Sequence, residues 1–92
     1  MIISIPMFTA ELYNRFASVS AVFPDHSTEF QNLRTNAYIK QGDLQIIAGN
    51  TILAVPVSKV LCIDKTECNG NYTEYEITTT EGNTITLDTV SF

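Results

Sequence analysis

The residues best placed to do chemistry are four carboxylates in the last third of the chain. They lie within Leu61–Phe92, which has the pattern of two successive β-hairpins that share a central strand. The predicted loops are Cys68-Asn69-Gly70 and Thr80-Glu81-Gly82, and each places glycine third, where a three-residue hairpin loop needs a left-handed backbone. The four carboxylates are Asp64, Glu74, Glu76 and Asp88.

The hairpin registers follow from the alternation of apolar side chains, because paired strands must place their apolar residues on the same face. The second loop predicts that Ile77 pairs with Ile85 and Tyr75 with Leu87, and the first loop predicts that Leu61 pairs with Ile77 and Ile63 with Tyr75. These six residues are expected to face the core. On the opposite face, Glu74 is then expected between Asp64 and Asp88, and Glu76 follows along the same strand.

A row of like charges on neighbouring strands is destabilising, so a chain that tolerates one is a candidate for using it. Acid–base catalysis would require burial to separate the pKa values, and the surrounding residues do not indicate a deep cleft. A hard cation would need about six or more oxygen ligands. The main alternatives for Asp64, Glu74, Glu76 and Asp88 are a solvated face and a docking surface for a basic partner. Tyr72 is predicted to face outward beside them, where it would add contact area with a polar tip.

The remaining inventory for catalysis is thin. No serine lies in a Gly-x-Ser-x-Gly turn, and no glycine-rich phosphate loop or dinucleotide-binding fingerprint is present. His26 is the single histidine and lies in a polar stretch. Cys62 and Cys68 are expected to be reduced and unreactive, and with one distant histidine they do not supply the usual ligands of a zinc site. We therefore expect no enzyme activity, no catalytic residue, no metal and no cofactor.

The net charge of −5 is concentrated in the predicted hairpins. Residues 1–63 carry four acidic and four basic side chains, whereas residues 64–92 carry six acidic side chains and one basic side chain. With five basic residues in all, the chain is a poor candidate for binding phosphates, and a basic protein partner is the better prediction. No apolar run approaches the roughly 18 residues of a membrane span, and Met1–Met7 lacks the features of a signal peptide, so the expected location is the cytoplasm.

The first part of the chain predicts a strand, a helix and a loop. Met1–Ile5 is a candidate edge strand, and Met7–Phe23 carries apolar residues at helical spacing that predict an amphipathic helix. Pro24–Asn36 is predicted to be an irregular loop, or a short helical turn held by Phe30 and Leu33. The apolar stripe of the predicted helix comprises Phe8, Leu12, Phe16, Val19 and Phe23.

A meander of three strands is predicted to follow. Ala37–Gln41 is expected to place Tyr38 inward, and both Gly42-Asp43 and Gly49-Asn50 have the composition of two-residue type II′ turns. The second turn predicts that Ala48 pairs with Thr51, Ile47 with Ile52, Ile46 with Leu53 and Leu44 with Val55. The expected fold class is α+β in a single domain, with an N-terminal helix packed on an antiparallel, strongly coiled sheet or partial barrel of about five to six short strands.

In its length, its acid-biased segment Asp64–Asp88, its few basic residues and its helix-plus-sheet outline, the chain resembles the small phage-encoded anti-CRISPR inhibitors. That resemblance implies a single acidic cytoplasmic domain that occupies the basic nucleic-acid channel of a CRISPR effector complex. It is compositional and transfers no functional residue. Phage accessory proteins and small bacterial regulators share these general features, and the hairpin sequence VLCID…YEITTTEGNTITL is similar to the short β-repeats of small bacterial barrel domains.

The sequence thus supports two functional hypotheses. The first is a non-enzymatic acidic inhibitor or interaction protein that docks on a basic, nucleic-acid-binding surface of a protein complex, as a phage anti-CRISPR protein does when it blocks target DNA binding. The second is a structural or assembly module of a phage or bacterial complex that associates through a sheet edge. The edge expected for this second role is the last strand, which Phe92 follows directly.

Overall fold

The computed structural model describes residues 1–68 and 71–90, except for the side chain of Asn32. These residues form one antiparallel sheet of eight strands, with one short α-helix and one 3₁₀ turn. The elements are β1 (Ile2–Ile3), α1 (Ile5–Glu11), β2 (Arg15–Val22), β3 (Ser27–Lys40), β4 (Asp43–Ala48), β5 (Thr51–Pro56), the 3₁₀ turn (Val57–Lys59), β6 (Val60–Glu67), β7 (Tyr72–Thr79) and β8 (Thr84–Val90). The predicted α+β class is therefore wrong, because the chain is mostly antiparallel sheet and has more strands than expected.

The strand order across the sheet is β1-β6-β7-β8-β2-β3-β4-β5, so β2 joins the two halves of the sheet. β1 and β5 are the edges, and the sheet does not close into a barrel. β8 pairs with both β7 and β2, so the expectation that the last strand is an edge is wrong. The strand that covers β8 lies in the segment predicted to be helical, and Phe92 itself lies outside the described residues.

The predicted helix Met7–Phe23 is half helix and half strand. Helix α1 begins after Ser4, whose Oγ accepts a hydrogen bond from the Met7 N–H at 3.2 Å, and the chain then leaves the helix through Asn14 at φ 54°. β2 follows, with a buried alternation of Ala17, Val19 and Ala21. Two of these three residues are alanines, which contribute little to a hydrophobic pattern. The alternation typical of a strand was therefore weaker in the sequence than the helical spacing of the larger apolar residues.

The segment Pro24–Asn36 is mostly strand rather than loop, because β3 begins at Ser27 and pairs with β2. Tyr38 was predicted to point inward, but it lies opposite Gln45 and its exposed fraction is 48%. We call the side of the sheet that carries the core the inner face and the opposite side the outer face. Tyr38 is on the outer face, and Ala37 is the neighbouring residue that points inward.

The three tight turns differ in how well the sequence located them. The Gly49-Asn50 turn and all four pairs predicted around it are confirmed. The Thr80–Gly82 loop is also confirmed, with Gly82 at φ 81°. The turn predicted at Gly42-Asp43 is one residue earlier, at Gln41-Gly42, where φ is positive at both residues, as in a type I′ turn.

The register predicted for the first hairpin is wrong by two residues. Ile63 pairs with Ile77, and Lys65 rather than Ile63 lies opposite Tyr75. Leu61, predicted to be in the core, is 62% exposed beside an irregularity in the β6–β7 ladder. A slip of two residues keeps every side chain on its face, so alternation alone could not detect it. The predicted loop at Cys68–Gly70 includes two residues that lie outside the described part of the chain.

The core lies between the inner face of the sheet and helix α1. Phe8 and Leu12 of the predicted stripe are fully buried, as expected. The ring of Phe8 meets the ring of Tyr75 edge to face, with centroids 5.3 Å apart and an interplanar angle of 71°. Ile46 of β4 and Ile77 of β7 belong to the same apolar cluster, so the sheet curls until both of its halves cover the helix.

A polar network joins the end of α1 to the inner face of the sheet. The Tyr75 hydroxyl donates a hydrogen bond to Glu11 Oε1 at 2.7 Å, and Lys65 Nζ lies 2.7 Å from the same oxygen. Burial by itself raises the pKa of Glu11, but the hydrogen bonds from Lys65 and Tyr75 and the nearby positive charges outweigh it, so the pKa is lowered. Burial, followed by the bond to Glu11, raises the pKa of Tyr75. Lys65 therefore occupies an inward position because its charge is neutralised there.

We expect Lys65→Met to lower the free energy of unfolding by about 1–3 kcal/mol at neutral pH, because it leaves the partly buried Glu11 carboxylate without its cation. The lowered pKa of Glu11 means that its stabilisation is present above the ordinary value of 4.5 and is lost as the pH falls through the folded-state pKa. Urea unfolding should therefore show that the penalty shrinks in acid. The double variant Lys65→Met with Glu11→Gln should recover part of the loss. An equal loss of unfolding free energy at neutral pH and in acid would contradict the proposed role of the ion pair.

Candidate functional site

The outer face of the central strands carries a group of carboxylates that we call the acidic face. Glu74 of β7 lies directly opposite Asp88 of β8, as the second hairpin predicted. Glu76 lies opposite Asp64 of β6. The acidic face comprises Asp64, Glu74, Glu76, Asp88 and also Glu29, which lies across β2 on β3.

The structure arranges the predicted site residues in two neighbouring rows instead of one. Asp64 was expected opposite Glu74, but the two-residue slip of β6 places it opposite Glu76 and puts Thr66 opposite Glu74. The Asp64 carboxylate accepts a hydrogen bond from the Met1 amino group at 2.8 Å. Tyr72, the fifth predicted site residue, is 58% exposed at the start of β7.

Glu74 carries the clearest electrostatic signature of the acidic face. Burial raises its pKa above the ordinary value, and the charge of Asp88, a hydrogen bond with Asp88 and the charge of Glu76 raise it further. Within residues 1–68 and 71–90, no ion pair joins Glu74, Glu76 or Asp88 to a basic side chain. The carboxylates therefore repel one another without a neutralising partner from the described part of the chain.

The two lysines near the hairpins, Lys59 and Lys65, form ion pairs with glutamates outside the acidic face. Lys65 contacts Glu11 on the inner face, and its Nζ atom lies 3.5 Å from Oε1 of Glu67. Lys59 forms an ion pair with Glu81 beside the loop between β7 and β8. The charge asymmetry of the sequence thus becomes a spatial asymmetry, with the outer face of β7 and β8 negative.

An aromatic row borders the acidic face. Tyr72 lies opposite Val90, Val90 lies opposite Phe16 and Phe16 lies opposite Arg34 along consecutive strands. The Arg34 guanidinium lies over the Phe16 ring, 5.5 Å from its centroid. Sequence reasoning missed Phe16 and Arg34 because it placed one in a helix and the other in a loop or short helical turn. The only available signal, the alternation within Arg15–Val22, is weak because two of its three buried residues are alanines.

A shallow pocket of about 170 Å³ lies beside the middle of β2, next to the point where the β2–β3 register shifts. Its polar lining is Ser18, Ser20, Glu29, Gln31 and Asp88, and its apolar lining is Val19 and Phe30. Two carboxylates and several neutral oxygen groups would favour a cation in this pocket. This pocket was not predicted, because its β2 residues were expected in a helix and its β3 residues, Glu29–Gln31, in a loop or a short helical turn.

The chemistry available to the described residues is limited. Cys62 and Cys68 are free, and no group of three or more histidine, cysteine or acidic side chains in the part of the chain that the structure describes could hold a metal ion. His26 Nδ1 lies 2.7 Å from Asp25 Oδ1, and the His26 ring stacks on the ring of Phe23. Its position near the turn between β2 and β3 is remote from both cysteines in the sequence.

Comparisons with known proteins identify no relative. No protein-family model, no curated protein and no solved structure matches this chain. In the described residues, no helix is long and apolar enough to cross a membrane. The acidic face is therefore the main feature of the described residues that bears on function.

We expect Glu74→Gln to raise the free energy of unfolding at neutral pH by roughly 0.2–1 kcal/mol, because it removes one of two like charges on opposed strands. A raised pKa in the folded state means that stability is lost as the pH rises from the ordinary value of 4.5 through the folded-state pKa. The gain should therefore vanish in acid, which urea unfolding across a pH series would measure. Glu29→Gln is the matched control, since Glu29 faces Ser20 and should show a smaller gain. Equal gains in the two variants would contradict repulsion across the strands.

Proposed function

We propose that this protein is a non-enzymatic inhibitor or interaction protein whose acidic face binds a basic, nucleic-acid-binding surface of a protein complex. The observation that carries the proposal is the alignment of Glu74, Glu76 and Asp88 on one outward surface without basic partners among the described residues. Like charges on paired strands cost stability, and a bound cationic surface would relieve that cost. The partner is therefore defined by its charge.

A surface that normally binds nucleic acid has the required chemistry. Such surfaces present lysine and arginine side chains at spacings suited to phosphates, which are themselves regularly spaced negative groups. The carboxylates of β7 and β8 repeat along and across strands at the spacing of a sheet, so they present several negative groups to one partner surface at once. The net charge of −5 would also attract such a partner before contact.

The acidic face is held rigidly, which favours binding. On the inner side of the same strands, Tyr75, Ile77, Ile85 and Leu87 are fully buried in the core. Strands fixed by their inner side chains lose little conformational entropy when the outer side chains bind. The backbone positions of the charged residues are thus fixed before the partner arrives.

The aromatic row supplies contacts that charge alone does not. Tyr72 is more than half exposed, and Arg34 over Phe16 presents a flat surface beside the carboxylates. Aromatic and arginine side chains often dominate binding energy at the centre of protein interfaces. The pocket between Ser20 and Asp88 would accept a lysine or arginine side chain of the partner.

The resemblance to anti-CRISPR inhibitors makes CRISPR effector complexes the first partners to test. In that role the protein would occupy the channel that binds target DNA, and DNA and the protein would exclude each other. Purified effector complexes can be assayed for target-DNA binding by electrophoretic mobility shift, with and without the protein. Heparin, a polyanion that competes for basic channels, should displace the protein from its partner.

The decisive variant combines Glu74→Lys with Asp88→Lys. It replaces one pair of like charges with another, so the fold should be retained, while binding to the basic partner should weaken roughly tenfold or more. Raising the salt concentration should weaken binding of the unmodified protein, because screening shortens the range of the attraction. Affinity can be measured by biolayer interferometry on the effector complex or on a partner recovered by pull-down.

The matched control combines Asp25→Lys with Asp43→Lys, which changes the net charge by the same amount away from the acidic face. The control should keep most of the affinity. Equal losses in the two double variants would show that net charge alone matters, and unchanged affinity in the Glu74 and Asp88 variant would refute the acidic face as the binding surface.

A further inference from the structure

The edge strand β5 is a second surface with the properties of an interaction site. It pairs with β4 on one side only, while the other edge of the sheet, β1, has two residues. All six residues of β5 pair in register with β4, so the strand is regular. An unpaired, regular edge presents a row of backbone donors and acceptors to another strand.

The hairpin geometry indicates which backbone groups of β5 are free. Ala48 and Thr51 flank the two-residue turn and form the first pair, and antiparallel pairs then alternate between bonded and non-bonded. Thr51, Leu53 and Val55 therefore form backbone hydrogen bonds with β4. Ile52 and Ala54 direct their N–H and C=O groups away from β4, toward the free edge of the sheet. Beyond the strand, the Val57 N–H bonds to the Gly42 carbonyl at 2.9 Å, which continues the same alternation.

Nothing in β5 protects this edge. Natural edge strands are usually guarded by lysine, a bulge or an inward charge. Residues 44–58 contain no charged side chain, and Ile52 is 58% exposed on the outer face. Pro56 lacks an N–H and limits the edge only at its end.

We propose that β5 pairs antiparallel with β5 of a second copy of this chain, about a two-fold axis at Leu53. In this register, Ile52 and Ala54 of each copy exchange backbone hydrogen bonds with Ala54 and Ile52 of the other. The outward groups of the two strands match because the strand is complementary to itself. Ile52 then packs beside Ala54 of the second copy, and the sheet continues through both copies.

The distribution of charge favours a second copy at this edge. A chain of net charge −5 repels its own copies, so self-association is least costly where charge is absent. β5 lies at the end of the strand order remote from β6 and β7, which carry most of the acidic face. Pairing through β5 therefore leaves the acidic face of each copy uncovered, and the inference is independent of the proposed function.

Sedimentation equilibrium across a dilution series tests the proposal on the whole protein. We expect the mass to change with concentration between the 10.2 kDa monomer and twice that value. Ala54→Pro removes the outward N–H but no bond to β4, so it should raise the dimer dissociation constant roughly tenfold or more. Ala54→Ser keeps the N–H at the same position and should change the dissociation constant little.

A second variant keeps the test decisive if Ala54→Pro fails to fold. Ile52→Lys places a charge on the outer side of the edge and should also give a monomer, whereas Val22→Lys, at a similarly exposed residue of the internal strand β2, should still dimerise. A monomer at all concentrations, or a dimer that Ala54→Pro and Ile52→Lys leave intact, would overturn the proposal. Species larger than a dimer would overturn it as well, because the two-fold pairing is closed.

Discussion

The burial of one face of a single sheet determines which side chains of its strands are buried and which are exposed. The apolar side chains of both halves of the sheet converge on the inner face, where Phe8 and Leu12 of the helix complete the core. Because side chains alternate along a strand, the intervening residues must lie on the outer face. The carboxylates of β7 and β8 are on a common surface for this reason, with Tyr75 and Leu87 buried between them on the other side.

The same constraint explains why one charged pair lies inside the curved sheet. Lys65 occupies an inward position of β6, opposite Tyr75, and reaches Glu11 at the end of the helix. Burial disfavours both charges, and their contact together with the Tyr75 hydroxyl offsets that cost. The network therefore attaches the short helix to the sheet at its C-terminal end, and the edge-to-face contact between Phe8 and Tyr75 attaches it one turn earlier.

Charge is distributed unevenly along the sheet. The outer face of β6, β7 and β8 is acidic, whereas β4 and β5 beyond Asp43 carry no charge. The first surface suits a basic partner, and the second suits backbone pairing, which requires no charge. Two different contacts could thus form on one small domain without covering each other.

The sequence by itself determined several local features of the fold. The turn at Gly49-Asn50, the loop at Thr80–Gly82 and the opposition of Glu74 and Asp88 all follow from turn composition and alternation within a few residues. These features are local, because a short loop sets the register of the two strands it joins.

Tertiary structure decided the remaining features. The segment Arg15–Val22 becomes a strand because β3 and β8 bind both of its edges, although its large side chains are spaced as in a helix. The register of β6 slips by two residues, which moves Asp64 from Glu74 to Glu76 and exposes Leu61. The first outcome depends on β8, which is distant from β2 in the chain. The slip of β6 leaves the alternating pattern unchanged, so only the packed sheet could distinguish the two registers.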